Sequence, residues 1–234
     1  MESTRILAIR HGETLWNTQN RIQGHIDIGL NPRGQLQATL VGKAFEQKST
    51  QAKSPSIIDT ADPAEIHLSN SSAIYSSDLT RAFNTAQHIS KALNLPITKD
   101  KRLRERHFGD FEGKTWSEIE EHSPEVSLKW RSRDPQWRPG AGSESLMDLE
   151  ARVKGVVNDL ASKHLGDQIV IVSHGGVMDI LYRWATGQDM QSQRTWSLEN
   201  AVINRLLWTP EHLSLLSWGD NRHLSDTAMD DASV

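Results

Sequence analysis

Apolar positions along this chain change period from segment to segment. Residues 5–9 hold a continuous apolar run, Ile6-Leu7-Ala8-Ile9, closed by the polar, glycine-containing Arg10-His11-Gly12, which reads as a buried strand ending in a turn. From Arg33 the period lengthens, and Leu36, Leu40, Ala44 and Phe45 fall on one helical face. Residues 46–72 are polar and interrupted by Pro55 and Pro63. They read as a long surface loop with one short strand near Ile57-Ile58. Residues 73–76 form a second strand, and Ser77-Asp78 stands at the N-cap position of a helix carrying Leu79, Ala82, Phe83, Ala86, Ile89 and Leu93. Leu95-Pro96 ends that helix.

Residues 112–142 gather Trp116, Trp130, Trp137 and a proline-rich stretch, the composition of a small cap or lid. An amphipathic helix over 145–164 follows through Leu146, Leu149, Val153, Val156, Val157 and Leu160. Residues 168–172 are a third strand, broken by Ser173-His174-Gly175-Gly176 before a helix beginning near Val177. Residues 201–208 and 213–218 flank Thr209-Pro210-Glu211-His212, a hairpin pattern. Strands alternating with helices indicate an α/β fold with a mostly parallel sheet. No internal repeat is present, and residues 1–234 read as one domain.

Composition narrows the chemistry. The chain has 234 residues, 26 basic against 30 acidic, and no cysteine. Disulfides, cysteine-ligated metal centres and a thiolate nucleophile are therefore excluded. A formal charge of −4 weighs against nucleic acid as a partner. No apolar run approaches the ~20 residues of a membrane span, and Met-Glu-Ser-Thr-Arg does not open a signal peptide. The expectation is a cytoplasmic protein with neither membrane nor nucleic-acid partner. The eight tryptophans read mainly as packing or lid residues.

Three strands thus end in polar or glycine-rich turns, at Arg10-His11-Gly12-Glu13, Ser77-Asp78-Leu79-Thr80-Arg81 and Ser173-His174-Gly175-Gly176. Ligands of open α/β sheets bind beyond the carboxyl ends of strands. If these strands are parallel neighbours, His11, Arg81 and His174 converge. Gly175 and its neighbour let backbone approach a ligand, and a helix N-terminus there favours an anion. Two histidines and two arginines around one anion describe a phosphoryl-transfer site.

Those residues resemble the histidine phosphatase superfamily, the phosphoglycerate-mutase-like proteins. The resemblance rests on Arg10-His11-Gly12-Glu13-Thr14 with Trp16-Asn17, Gln23-Gly24, Leu30-Asn31-Pro32-Arg33-Gly34 and Ser76-Ser77-Asp78-Leu79-Thr80-Arg81-Ala82. It continues through Leu103-Arg104-Glu105, Phe108-Gly109-Asp110-Phe111-Glu112-Gly113 and Ser173-His174-Gly175-Gly176, in the family's order. It implies a three-layer α/β/α sandwich with a small cap insertion, no cofactor, no metal, and a family tendency to form homodimers. It implies that His11 attacks phosphorus to give a phosphohistidine, and that Arg10, Arg81 and His174 hold the phosphoryl oxygens with Asn17 assisting. Glu105 would be the general acid and then the base that activates water. A nucleophilic histidine must be neutral, so its other ring nitrogen needs an acceptor, for which backbone serves.

Read without the family, Glu105 sits in a mixed cluster with Arg102, Arg104, Arg106 and His107, a pattern usual for solvated ion pairs. Glu13 and Arg21 fit a role in orienting the nucleophile loop. His67, His88, His164 and His223 read as surface or packing residues. Within the family, three departures favour a phosphatase acting on a small phosphorylated metabolite over a cofactor-dependent phosphoglycerate mutase. Gly176 stands where mutases carry asparagine, and Thr14 where they carry serine. The adjacent arginines of their second-anion clamp are replaced by Lys129-Trp130-Arg131-Ser132-Arg133, which still offers an anion grip. A non-catalytic phospho-ligand binder is a further alternative, disfavoured by the complete nucleophile-and-acid set. Gly140-Ala141-Gly142-Ser143-Glu144-Ser145 is spaced differently from the family's Pro-Gly-Gly-Glu-Ser, which weighs against Glu144 as an anchor near the site.

Overall fold

The computed structural model describes residues 2–46 and 67–228. Its centre is the pair the apolar runs implied. β1 (Thr4–Arg10) and a later strand, Gln168–Ser173, run parallel with Arg5 opposite Gln168 and Arg10 opposite Ser173. In chain order β2 is Ser71–Ser76, β3 Ile97–Lys99, β4 Gln168–Ser173, β5 Ile203–Trp208 and β6 Leu213–Asp220. They lie in the order β3-β2-β4-β1-β5-β6, the first four parallel. β5 pairs antiparallel with β1 and with β6, so the anticipated hairpin forms the other edge. β3 was not legible in the sequence, because three residues after Pro96 are too few to show a period.

The helices are α1 (Leu15–Thr18), α2 (Pro32–Glu46), α3 (Thr80–Leu93), α4 (Trp116–His122), α5 (Pro124–Arg131), α6 (Leu146–Ala161) and α7 (Gly175–Thr186). Successive strand side chains point to opposite faces. Ile6, Ala8, Ile169 and Ile171 pack under α6 and α7, while Leu7, Ile9, Val170 and Val172 pack under α2 and α3. Helices on both faces explain why β1 and β4 read as continuous apolar runs rather than alternating ones. The result is the three-layer α/β/α arrangement. No helix of the described residues is long and apolar enough to cross a membrane.

Several local readings are corrected. Leu40 and Phe45 of α2 face inward as expected, but Leu36 is 44% exposed, and Gln37, Ala38 and Val41 complete the buried face. Gln37 is drawn in because its Oε1 accepts from the Glu13 backbone N–H at 2.8 Å. Neither Ser77 nor Asp78 caps α3: the N-cap is Leu79, without a side-chain bond. The acceptor comes from elsewhere in the chain, as the Asp27 carboxylate takes the Thr80 N–H and hydroxyl, both at 2.7 Å. Asp78 is occupied by a two-pronged pair with Arg104, 2.6 Å at each contact. α7 begins at Gly175, two residues before the expected start. Of the long polar loop, 67–72 hold a 3-10 turn and the start of β2. Residues 47–66, with the strand expected near Ile57-Ile58, lie outside the described residues. Residues 112–142 contain α4 and α5, joined by the stacked rings of Trp116 and Trp130 with centroids 4.0 Å apart. The helix expected over 145–164 is α6, opened by a reciprocal Ser145–Asp148 capping box.

Candidate active site

The parallel register of β1 and β4 ends both strands at one level, so the residues that follow emerge together. The His11 N–H donates to the Ser173 carbonyl at 3.0 Å, and the His11 and His174 rings stand edge to face with centroids 5.1 Å apart. His11 Nδ1 lies 2.7 Å from the Gly12 carbonyl oxygen. A carbonyl only accepts, so Nδ1 carries the proton and Nε2 keeps its lone pair. The turn passes so close to α2 that a Cβ on Gly12 would sit 2.5 Å from the Gly34 carbonyl oxygen. α1 starts with a capping box in which Asn17 Oδ1 accepts from the Thr14 N–H and hydroxyl, each at 3.0 Å. That arrangement leaves Asn17 Nδ2 as the donor available to the cavity.

Arg81, in the first turn of α3, is fully buried; its guanidinium donates to the Gly24 and Ile26 carbonyls at 2.8 and 2.9 Å. Arg10 donates to the Leu198 carbonyl. Arg10 Nε, Arg81 Nε and both ring nitrogens of His174 are buried without a hydrogen-bond partner among the described residues. Unpartnered buried polar atoms are uncommon in folded proteins; the two guanidinium nitrogens and the one N–H of a neutral His174 are three donors without an acceptor at one strand edge. Burial, reinforced by the Arg81 and Arg10 cations, holds the pKa of His11 and that of His174 well below the usual histidine range. Burial also lowers Arg81 to about 10. Neutral imidazoles beside cationic guanidiniums suit an anion and an uncharged nucleophile.

Glu105 follows the 3-10 turn Lys101–Leu103. Both its carboxylate oxygens lie 3.0 Å from the Gly176 N–H at the start of α7, and Oε1 also accepts from the Arg106 N–H at 2.8 Å. Its backbone is clamped. Arg152 donates to the carbonyls of Arg102, Arg104 and Glu105 at 2.7, 2.8 and 3.2 Å, and His25 Nε2 contacts the Glu105 carbonyl at 2.8 Å. Glu144 holds Arg152 through two contacts of 2.7 Å and accepts from the His107 N–H. The altered spacing before Glu144 therefore does not remove it from the site, contrary to expectation. The ion pairs foreseen around Glu105 exist, Arg102 with Asp100 and Asp159 and Arg104 with Asp78, but the Glu105 side chain is not part of them.

A cavity of about 650 Å³ opens over the strand ends, lined by Arg10, His11, Asn17, Arg81, Glu105 and Gly175, with His174 buried beneath. Glu13 and Arg21 line it too, and Glu13 accepts from Asn31 Nδ2 at 2.8 Å. Of the run at 129–133, only Trp130 and Arg133 reach the cavity; Arg131 is exposed and pairs with Glu120. His67, His88, His164 and His223 are outside it. Sequence reasoning missed Asn200, whose Nδ2 donates to the His11 carbonyl at 2.8 Å, and Arg194, on the connection before β5. Neither sits in a motif of its own, and only a polar segment feeding β5 hinted at them. Among the described residues no cluster of His, Asp and Glu has the makings of a metal site.

The chain belongs to the histidine phosphatase superfamily (branch 1), whose family model matches residues 6–57 and 63–221. It is 34% identical to phosphoglycerate mutase-like protein 4 of Arabidopsis thaliana, over 97% of this chain and 90% of that one. It is 32% identical to the metal-independent phosphoserine phosphatase of the same plant, over 96% and 84%. Among solved structures it resembles a phosphoserine phosphatase variant from Entamoeba histolytica in complex with phosphoserine, with a TM-score of 0.77, 27% identity, and coverage of 94% and 99%.

Proposed function

We propose that the chain is a metal-independent phosphomonoesterase acting on a small phosphorylated metabolite through a phosphohistidine on His11. The observation that carries this reading is the contact of His11 Nδ1 with the Gly12 carbonyl, which presents a neutral Nε2 near the buried Arg81 and the part-buried Arg10. Nε2 attacks phosphorus in line with the bond to the leaving oxygen, and that oxygen takes a proton from Glu105. Arg10, Arg81, Asn17 Nδ2 and His174 hold the remaining phosphoryl oxygens, and Gly175 brings the first turn of α7 close to them. The Glu105 carboxylate then accepts a proton from the water that attacks the phosphohistidine. Inorganic phosphate leaves, and His11 and Glu105 return to their starting states. The two arginines supply charge neutralisation where negative charge develops on the phosphoryl oxygens. The phosphatase relatives support hydrolysis as the outcome.

The test is hydrolysis of p-nitrophenyl phosphate and a phosphomonoester panel without added metal, together with 3-phosphoglycerate plus 2,3-bisphosphoglycerate. Hydrolysis lost in His11→Ala, with acid-labile label from the substrate phosphoryl group on the native protein, is the expected result. Isomerisation faster than hydrolysis would make the chain a mutase, and no turnover on any substrate would make it a binder.

A further inference from the structure

Three side chains from separate parts of the fold hold the turn after β1. Gly12 is required in that turn by its close pass against α2, since a Cβ would sit 2.5 Å from the Gly34 carbonyl oxygen. Glycine is also the residue whose flanking peptide planes swing most freely. Its carbonyl nevertheless has to stay on His11 Nδ1, because a neutral imidazole has two tautomers and only the one with Nδ1–H leaves Nε2 able to attack. Both peptide planes that meet at Gly12 are pinned at both ends. In the His11–Gly12 plane the carbonyl accepts from Asn200 Nδ2 at 2.8 Å, and the N–H donates to Thr85 Oγ1 at 3.0 Å. In the Gly12–Glu13 plane the carbonyl lies 2.7 Å from His11 Nδ1, and the N–H donates to Gln37 Oε1 at 2.8 Å. The Thr85 hydroxyl donates its own hydrogen to the Arg81 carbonyl at 2.9 Å, so a lone pair faces Gly12. Thr85 is fully buried and Gln37 only 8% exposed. Buried polar side chains often do no more than satisfy nearby backbone. Here the groups they satisfy belong to the two planes on which the tautomer of His11 depends.

We propose that Gln37, Thr85 and Asn200 are positioning residues for the nucleophile, which hold the two peptide planes around Gly12 so that its carbonyl keeps the His11 proton on Nδ1. This rests on the phosphohistidine reading, which supplies the use made of Nε2. The C=O and N–H of a trans peptide point in opposite directions, so a plane gripped at both cannot turn without breaking one of its two bonds. Released at either end, the plane turns about the bonds flanking Gly12 and its carbonyl leaves the ring. The proton then passes by exchange with water to Nε2, and the attacking lone pair is lost. Thr85 has a second effect. It stands one helical turn after Arg81 on α3, and its hydroxyl bridges the Arg81 carbonyl and the Gly12 N–H. Nucleophile and buried guanidinium therefore keep one relative placement.

Long-range nitrogen–proton NMR of protein carrying isotope-labelled histidine reads the tautomer directly, and the His11 signals are those missing from His11→Ala. Near neutral pH the native protein should show His11 protonated on Nδ1 with a bare Nε2. Thr85→Val removes the acceptor at nearly constant volume, and Asn200→Ala removes the donor at the other end of the same plane. Each should bring the Nε2–H tautomer to a measurable population and lower kcat on p-nitrophenyl phosphate by about 10- to 100-fold, with KM changed far less. Thr85→Ser keeps the hydroxyl and should restore both the tautomer and kcat. Asn200→Ala, at a part-buried position, decides the matter if Thr85→Val does not fold. A native His11 with its proton on Nε2 would overturn the proposal. So would a fall in kcat with the tautomer unchanged, a tautomer shift that leaves kcat intact, or neither effect in a folded variant. Failure of the native protein to hydrolyse any phosphomonoester would instead sink the phosphatase reading, and the tautomer shift alone would then decide the positioning role.

Discussion

The carboxylate of Glu105 occupies the space that a side chain at Gly176 would need. Both oxygens sit 3.0 Å from the Gly176 N–H, and a Cβ on that residue would come within 2.3 Å of Glu105 Oε1. The atom in the way is the tip of a flexible side chain, so a larger residue displaces Glu105 rather than the helix. Gly176→Ala is therefore expected to leave the melting temperature nearly unchanged, alanine being the better helix former. Its kcat should fall by about 10- to 100-fold, the cost of misplacing a catalytic group by about an ångström. Calorimetry beside steady-state kinetics separates the two effects; a variant that loses stability but not kcat contradicts this account.

Replacing Glu105 itself should divide the reaction into its halves. p-Nitrophenolate leaves readily without a proton, whereas water still needs a base to attack the phosphohistidine. Glu105→Gln should release about one equivalent of nitrophenolate in a burst and then turn over about 10²–10⁴-fold more slowly than the native protein. On an alkyl phosphate, whose leaving oxygen needs the acid, the burst should vanish. Rapid-quench kinetics read both, and a slow steady state without a burst on either substrate refutes the double role.

The two buried histidines make a signed prediction about pH. Both have pKa values lowered by burial in the folded protein, while the unfolded chain keeps the usual value of about 6.5. Below that pH the unfolded state binds protons that the folded state does not, so stability falls as pH drops through 6.5 and is unaffected by these groups above it. The loss reaches up to about 1.4 kcal/mol per pH unit per histidine until the folded value is met. Urea titrations at pH 7.5 and 5.5 measure it, and His174→Phe should flatten the dependence. The same shift keeps His11 neutral, as its proposed role as nucleophile requires, so the acid limb of kcat/KM attributable to it should lie below pH 6.5.

The clamp behind Glu105 predicts linked losses of stability and rate. Arg152→Ala removes three bonds to backbone carbonyls and leaves the Glu144 carboxylate without its partner. A destabilisation of about 2–4 kcal/mol is expected, with kcat reduced and KM little changed. Arg152→Lys restores the charge but not the fork, so it should recover stability in part and leave kcat low. A thermal melt and kinetics on both variants suffice, and equal recovery of both properties by lysine would show that charge alone matters.

How much of this was legible beforehand depends on how local each signal is. The ends of β1 and β4 were readable because an apolar run followed by Arg10-His11-Gly12 or Ser173-His174-Gly175 is a feature of neighbouring residues. Those turns, with Arg81 and Glu105 in order between them, were enough to identify the family and to name side chains that the fold brings to one cavity. α2 was read correctly at Leu40 and Phe45 but not at Leu36, which is apolar yet exposed, while Gln37 is drawn inward by the Glu13 N–H. α3 was given a local cap, while its acceptor, Asp27, lies 53 residues away.

By itself, then, the sequence determined the class of fold, the family, and the absence of any thiolate route to phosphoester chemistry. Period and turn residues act within a few positions of one another, and that range is what a linear pattern records. The tertiary structure alone decided that Glu105 rests on Gly176, that Arg152 and Glu144 hold its backbone, and that Gln37, Thr85 and Asn200 grip the turn after β1. Each of these contacts joins residues from separate elements. They exist only because a parallel register and two helical layers bring those elements to the same edge of the sheet.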